Sequence, residues 1–129
     1  MPGAPSQLCR GRRLSNTSSG AWGEDLALRY LTRRGYRLVE RNHRTRRGEI
    51  DLILRKGATL VFVEVKLRRG TAFGDPLEAV TPRKQATLRR LAERYLADHE
   101  AHFETVRFDV VGILAGRDGL LVRHVEDAF

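Results

Sequence analysis

The chain has 129 residues, of which 41% are hydrophobic, and this excludes wholesale disorder and predicts one domain with a single core. Its 24 Lys and Arg residues outnumber 16 Asp and Glu residues, for a formal net charge of +8. Such a basic surface attracts polyanions, and nucleic acid is the commonest of these in the cytoplasm. The alternative is an ordinary domain from an arginine-rich proteome.

Cys9 is the single cysteine, which excludes an intrachain disulfide and a cysteine-rich metal site. No apolar run approaches the ~18 residues of a membrane span, and no apolar stretch follows the N-terminal arginines as in a secretory signal. We therefore expect a soluble, cytoplasmic protein with no membrane partner. The histidines lack the spacing of a zinc site; they are His43, His99, His102 and His124.

The N-terminal third begins with residues 1–18, which are rich in Pro, Gly, Ser and Arg and are predicted to form a disordered basic tail. Residues 19–129 are predicted to form the domain. Its first helix should run from about Gly20 to Arg34, because Trp22, Leu26 and Tyr30 recur at i, i+4 spacing. Gly35 is typical of a left-handed helix stop.

Strands are predicted at residues 36–41, 49–55, 59–67, 106–114 and 120–125. Gly57 and Ala58 suit a type II′ hairpin turn between the second and third strands. A second helix should begin near Pro82 with Thr81 as its N-cap. The order α-β-β-β-α-β-β predicts an α/β domain, a central mixed sheet flanked by helices.

The predicted hairpin brings acidic residues together. If Gly57 and Ala58 are the turn residues, the register places Asp51 opposite Glu64 and Glu49 opposite Lys66. Directly opposed residues have Cβ atoms ~4.5–5.5 Å apart, and Glu64 and Lys66 share one strand face because side chains alternate.

Two carboxylates this close repel each other unless a cation neutralises them. We expect Mg²⁺ (or Mn²⁺) with Asp51 and Glu64 as ligands, Lys66 orienting water or phosphate, and Glu49 supporting the cluster. Only three lysines occur among the 24 basic residues, so a lysine at position 66 favours a need for a compact ammonium. The alternative is a solvated strand end, since a lone Glu-x-Lys is weak evidence.

Arginines flank both strands and are predicted to contact nucleic-acid phosphates, although solvated loops would look the same. The predicted contacts are Arg44, Arg46, Arg47, Arg68 and Arg69, with Arg83 and Lys84 on the following helix. Arg89 and Arg90 either extend this set or face solvent.

Residues 23–27, 48–53, 61–66, 74–76 and 81–84 (GEDLA, GEIDLI, VFVEVK, GDP and TPRK) resemble the YraN-like family. These small bacterial proteins are assigned by similarity to the PD-(D/E)XK nuclease superfamily, which implies a restriction-endonuclease-like fold. The resemblance covers about residues 20–126, and the arrangement is also similar to archaeal Holliday-junction resolvases.

Carried over by position, the resemblance implies a catalytic set, which is Glu24, Asp51, Glu64 and Lys66. It also implies a supporting role for Gln85, and Ile50 stands where the motif's name has a proline that varies in the superfamily.

We therefore expect a metal-dependent endonuclease acting on DNA, on branched or flapped structures in particular. Two-strand cutting by so small a domain would require a homodimer. One alternative is a non-catalytic nucleic-acid-binding module with a nuclease-like fold. Another is an interaction protein whose charged cluster is a structural network.

Overall fold

The structure, a computed structural model, describes residues 16–70, 76–99 and 103–129. Within these ranges it contains α1 (Asn16–Thr32), β1 (Arg37–Thr45), β2 (Gly48–Lys56), β3 (Thr59–Arg69), a short 3₁₀ helix (Pro76–Ala79), α2 (Pro82–His99), β4 (Thr105–Gly116) and β5 (Gly119–Val125). The predicted α/β class and element order are confirmed. No helix in the described ranges is long and apolar enough to cross a membrane.

The five strands form one mixed sheet in the order β1-β2-β3-β4-β5, in which β3 and β4 are parallel and the other neighbours antiparallel. One helix covers each face. Leu88 and Leu91 of α2 pack with Ile53 and Phe62 on one side. Ala27 and Leu31 of α1 belong to the apolar layer on the other side. The central strand β3 is therefore buried on both faces, as its apolar sequence predicts.

Helix α1 ends at Thr32, and Gly35 forms the predicted left-handed stop after it, with a φ of +93°. The Tyr36 N–H donates to the Leu31 carbonyl at 3.1 Å and the Gly35 N–H to the Thr32 carbonyl at 3.1 Å, the pattern of a Schellman motif. The beginning of α1 differs from the prediction. It starts at Asn16, so residues 16–18 of the expected tail are helical, while residues 1–15 lie outside the described residues.

That difference has a compositional cause. Asn, Ser and Thr, which made residues 16–18 resemble a disordered tail, are also the residues that favour helix starts. Composition alone does not separate the two structures. At α2 the capping prediction is confirmed, because the Lys84 N–H donates to Thr81 Oγ1 at 3.1 Å.

The alternation of side chains along β2 is interrupted at Asp51. Ile53 and Ile50 both lie in the apolar layer under α2, whereas Leu52 and Leu54 lie in the layer under α1. A regular strand would place residues 50 and 52 on the same face. The alternation is therefore broken beside Asp51.

Strand β1 changes face at the neighbouring position. Asn42 has a φ of 56°, the left-handed conformation that Asn tolerates better than most residues. Arg41 contacts α1 through the Ala21 carbonyl at 2.9 Å, while the His43 ring packs against Tyr95 of α2 at 5.2 Å. The two strands thus invert together at the end of the sheet that carries the acidic residues.

A buried ionic cluster lies on the α1 side of the sheet. Asp109 is fully buried and accepts two hydrogen bonds from Arg107, both at 2.9 Å, one from the Asp127 N–H at 3.0 Å and one with His124 at 2.7 Å. Arg107 also donates to the Tyr36 hydroxyl at 2.6 Å. Burial opposes ionisation of Asp109, but the hydrogen bonds from His124 and Arg107 outweigh it and lower the pKa of Asp109.

We expect Arg107→Ala to reduce the free energy of unfolding by roughly 3–5 kcal/mol, because it leaves Asp109 buried without its main counter-charge. Urea denaturation at neutral pH measures the loss. Arg94→Ala is the matched control, since Arg94 pairs with Asp98 on the exposed surface of α2 and should cost below about 0.5 kcal/mol. Equal losses in the two variants would contradict the structural role of this cluster.

Candidate active site

Asp51 of β2 and Glu64 of β3 come together at one end of the hairpin. The predicted ladder is confirmed from Lys56–Thr59 as far as Leu52–Val63, and Gly57 has the φ of 60° that the turn requires.

The ladder ends before the predicted Asp51–Glu64 pair. Asp51 Oδ2 instead accepts a hydrogen bond from the Val65 N–H at 2.8 Å. The change of face in β2 explains the difference. Beyond Leu52 the backbone of β2 no longer pairs with β3, and the Asp51 side chain accepts the Val65 N–H instead. The Asp51 carboxylate is thereby fixed against the backbone of β3, one residue beyond Glu64.

Glu64 is a buried carboxylate whose two oxygens have different surroundings. Glu64 is 5% exposed, and its Oε2 lies 3.4 Å from Lys66 Nζ and 3.8 Å from Lys84 Nζ. Its Oε1 is buried and has no hydrogen-bond partner among the described residues. A buried carboxylate oxygen without a partner is costly, so this atom is the place where a ligand would be expected.

The surroundings of Asp51 disfavour its charge. Burial, followed by the negative charge of Glu64, raises the pKa of Asp51 to about 7, although the Val65 N–H opposes the shift. A cation shared between the two carboxylates would offset both the cost of burying the charge and the repulsion between the two groups. The pair is therefore better suited to holding a cation than to standing alone.

Glu24 lies on α1, is 9% exposed and faces β1. Its Oε1 accepts hydrogen bonds from Asn42 Nδ2 at 2.9 Å and from Arg41 Nε at 3.3 Å. Its charge also contributes to the raised pKa of Asp51, so Glu24 is within electrostatic range of the site. Sequence reasoning missed Arg41 and Asn42 because the strand was expected to end at Arg41.

Two predicted supporting residues have other partners. Glu49 was expected opposite Lys66, but β2 has already changed face, and Glu49 Oε2 instead binds Arg44 Nε at 2.9 Å. The predicted pairing of Glu49 with Lys66 is wrong. The Gln85 amide donates to the Val80 carbonyl at 3.0 Å, so it holds the segment before α2.

The predicted phosphate contacts separate into several groups. Arg44 pairs with Glu49, and Lys84, predicted as a phosphate contact, has its Nζ 3.8 Å from Glu64 Oε2. Arg46 and Arg47 line a groove against α2, which we call the arginine groove; it is bounded by Arg46, Arg47, Arg90, Arg94, Leu91 and Asp98. The remaining members, Arg68 and Arg69 at the end of β3 and Arg83 at the start of α2, are exposed.

The donor set fits a hard cation that retains water. The described part of the chain contains no group of three or more His, Cys, Asp or Glu residues placed to hold a metal ion. Asp51 and Glu64 supply two carboxylates, which matches Mg²⁺, an ion usually bound by one or two carboxylates with waters and substrate phosphate. Zinc, in contrast, requires three or four protein ligands.

The sequence of this chain is similar to those of a group of bacterial proteins. The family described as "Uncharacterised protein family UPF0102" matches residues 23–113. A UPF0102 protein of Rhodococcus jostii (strain RHA1) is 53% identical over 115 residues, covering 88% of this chain and 98% of that protein. A UPF0102 protein of Syntrophomonas wolfei is 47% identical over 114 residues, covering 88% and 99%. The span matched by the family includes the whole predicted catalytic set.

One solved structure is weakly similar. SfsA of Pyrococcus furiosus in complex with Ca²⁺ shares 13% identity with a TM-score of 0.35, over 88% of this chain and 64% of that chain. A similarity at this level supports no conclusion about fold or function.

We expect Asp51→Asn to stabilise the metal-free protein, and more so at pH 8 than at pH 5. The pKa of Asp51 is raised from 3.8 to about 7 in the folded state, so its ionisation costs stability increasingly as pH rises through this window. The difference between the two pH values should be roughly 1–3 kcal/mol, measured by urea denaturation in EDTA.

Asp98→Asn serves as the control for that measurement, because Asp98 is exposed on α2. Its effect on stability should be the same at both pH values. An Asp51→Asn effect that is also independent of pH would show that the carboxylate is not destabilised by its surroundings.

Proposed function

We propose that this chain, which belongs to the UPF0102 family, hydrolyses phosphodiester bonds in DNA with a divalent cation held by Asp51 and Glu64. The observation that carries the proposal is the buried Glu64 Oε1, which has no hydrogen-bond partner in the described part of the chain, next to a carboxylate whose pKa is raised to about 7. Two ammonium groups stand beside this pair. This combination suits a metal and an anionic substrate together.

The resemblance to the PD-(D/E)XK superfamily is part of the proposal. Asp51 on β2 and Glu64-x-Lys66 on β3 follow one helix in the order that the resemblance implies. Mg²⁺ or Mn²⁺ in this position would supply Lewis-acid activation of water and would offset charge on the phosphate. The remaining chemistry falls to side chains of this chain.

In the proposed reaction a water oxygen attacks phosphorus, and the bond from phosphorus to one ester oxygen breaks. The water loses its proton to solvent, and the leaving oxygen takes up a proton, so that the products are a phosphate monoester and a hydroxyl. Lys66 Nζ, 3.4 Å from Glu64 Oε2, is placed to orient the water and to stabilise negative charge on the phosphate. Lys84 adds a second ammonium on the side of α2.

Glu24 acts in this proposal as a positioning residue. Arg41 and Asn42 bind its carboxylate and so connect α1 to the point at which β1 changes face. The negative charge of Glu24 contributes to the raised pKa of Asp51, but Glu24 Oε1 already accepts hydrogen bonds from two donors.

A non-catalytic nucleic-acid-binding module is the second candidate function. It is favoured by the engagement of Glu24 with Arg41 and Asn42, which leaves two carboxylates for a metal. In that case the basic surface would bind nucleic acid in a salt-dependent manner without metal-dependent turnover.

We expect the protein to cleave at least one of branched, flapped, single-stranded or duplex DNA in Mg²⁺ or Mn²⁺ and to be inactive in EDTA. Glu64→Gln should lower the rate by roughly 10²-fold or more, and Lys66→Met by about 10²–10³-fold. Gel assays with end-labelled substrates measure both. Glu93→Gln, on the exposed surface of α2, is the control and should retain full activity.

If none of the substrates is cleaved, or if cleavage persists in Glu64→Gln, the proposal of a nuclease is contradicted. Salt-dependent binding without turnover would favour the binding module instead. Thermal unfolding of each variant separates chemistry from structure, since loss of folding in Lys66→Ala would point to a structural network around Glu64.

We also expect about 5 mM Mg²⁺ to raise the melting temperature of the protein by roughly 2–6 °C, because a ligand that binds only the folded state stabilises it. Glu64→Gln should abolish this shift, and Glu93→Gln should leave it unchanged. Differential scanning fluorimetry measures the shift without any substrate. An equal shift in all three proteins would show that the cation binds elsewhere.

A further inference from the structure

The arginine groove lies between the β1–β2 turn and α2 and has a volume of about 510 Å³. Arg46 and Arg47 line it from the turn, and Arg90 and Arg94 line it from the helix. Leu91 contributes apolar surface between the two sides. Four arginines from two separate elements therefore line one concave surface.

The turn is held against α2 by close packing. A Cβ atom added to Gly48 would lie 3.3 Å from both Leu91 Cδ1 and Thr87 Cγ2, a tight contact, and the φ of +151° at this position also favours glycine. Thr45 Oγ1 accepts a hydrogen bond from the Arg47 N–H at 3.0 Å and so orders the turn. The positions of the turn arginines relative to the helix are thus set by the fold.

The charge balance in the groove favours an anion. Against its four arginines stands one carboxylate, that of Asp98, whose Oδ2 lies 3.1 Å from Arg94 Nε. The planar, forked guanidinium matches phosphate geometry with two parallel hydrogen bonds. Among the described residues, Asp98 is the one carboxylate paired with these four arginines, so the groove suits a ligand that carries more than one negative charge.

The groove lies on the same side of the sheet as the candidate active site and along the same helix. Lys84, in the first turn of α2, is 3.8 Å from Glu64. Arg90 and Arg94 follow it by six and ten residues, which is about 9 Å and 15 Å of helix rise. Adjacent phosphates in one strand of a duplex are about 3.4 Å apart along the axis, so this distance corresponds to a few nucleotides.

We propose that the arginine groove binds backbone phosphates of the nucleic-acid strand a few nucleotides from the bond that is cleaved. This inference rests on the proposed function for the position of the cleaved bond, but not for the binding itself. Arg46 and Arg47 contact the strand from the turn, while Arg90 and Arg94 contact it from α2. The ligand chemistry is a phosphodiester backbone, which both DNA and RNA supply.

The test measures binding of labelled 20-nucleotide single strands and duplexes, of DNA and of RNA, by fluorescence anisotropy in EDTA. The double variant Arg90→Gln/Arg94→Gln should bind at least about tenfold more weakly near 50 mM salt. Its plot of log affinity against log salt should be shallower by about 1–2, because fewer phosphates are neutralised. The Asp98→Asn variant should bind about two- to fivefold more tightly, since it removes a carboxylate that opposes phosphate.

The matched control is Arg29→Gln/Arg33→Gln, which removes two exposed arginines at the same spacing near the end of α1, on the opposite face of the sheet. It should change affinity by less than about threefold. Equal weakening in both double variants would show an effect of net charge alone and would overturn the proposal. Absence of binding to DNA and to RNA by the unaltered protein would overturn it as well.

The outcomes also separate this inference from the nuclease proposal. Groove-dependent binding without cleavage would support the groove and contradict the nuclease. Cleavage that is indifferent to Arg90→Gln/Arg94→Gln would support the nuclease and contradict the groove. Weakening confined to DNA or to RNA would support the groove and identify which of them it binds.

Discussion

The candidate site depends on the joint change of face in β1 and β2 at Asn42 and Asp51. On one side of this point, Leu52 lies under α1, and on the other, Ile50 lies under α2. Asp51 belongs to neither apolar layer, and its carboxylate accepts a hydrogen bond from the Val65 N–H at 2.8 Å. An acidic side chain is thereby fixed in a place dry enough to raise its pKa to about 7.

Two buried carboxylates on opposite faces of the sheet differ in how completely their oxygens are hydrogen-bonded. Asp109, on the side of α1, has hydrogen bonds to both oxygens from Arg107, His124 and the backbone, and its pKa is lowered. Glu64, on the side of α2, keeps one buried oxygen without a partner among the described residues. Groups that cost stability without serving the fold are typical of functional sites.

Helix α2 joins the basic residues to this acidic centre. Its first turn brings Lys84 to Glu64, its buried face supports the sheet through Leu88 and Leu91, and its later turns carry Arg90 and Arg94 beside the β1–β2 turn. A single rigid element thus sets the distance between the proposed metal site and the proposed phosphate contacts. Its capping by Thr81 fixes where the helix begins.

The sequence by itself determined the element order and the Gly57–Ala58 turn. It also determined the Gly35 stop after α1, the Thr81 cap at the start of α2, and the position of Glu64 and Lys66 on one strand face. These features follow from local chemistry, namely side-chain periodicity, turn residues and capping residues. The resemblance to the YraN-like family, confirmed by the UPF0102 match, rested on short motifs for the same reason.

Only the tertiary structure decided the partners of Glu49, Gln85 and Lys84, the tie of Glu24 to Arg41 and Asn42, and the convergence of four arginines on one groove. A regular alternation, counted outward from the hairpin turn, predicts the wrong face beyond Asp51, because the inversion at Asn42 belongs to a neighbouring strand. Local patterns specify which way a side chain points along its own strand or helix. Which charged groups then meet is set by the packing of separate elements, and no spacing along the chain records it.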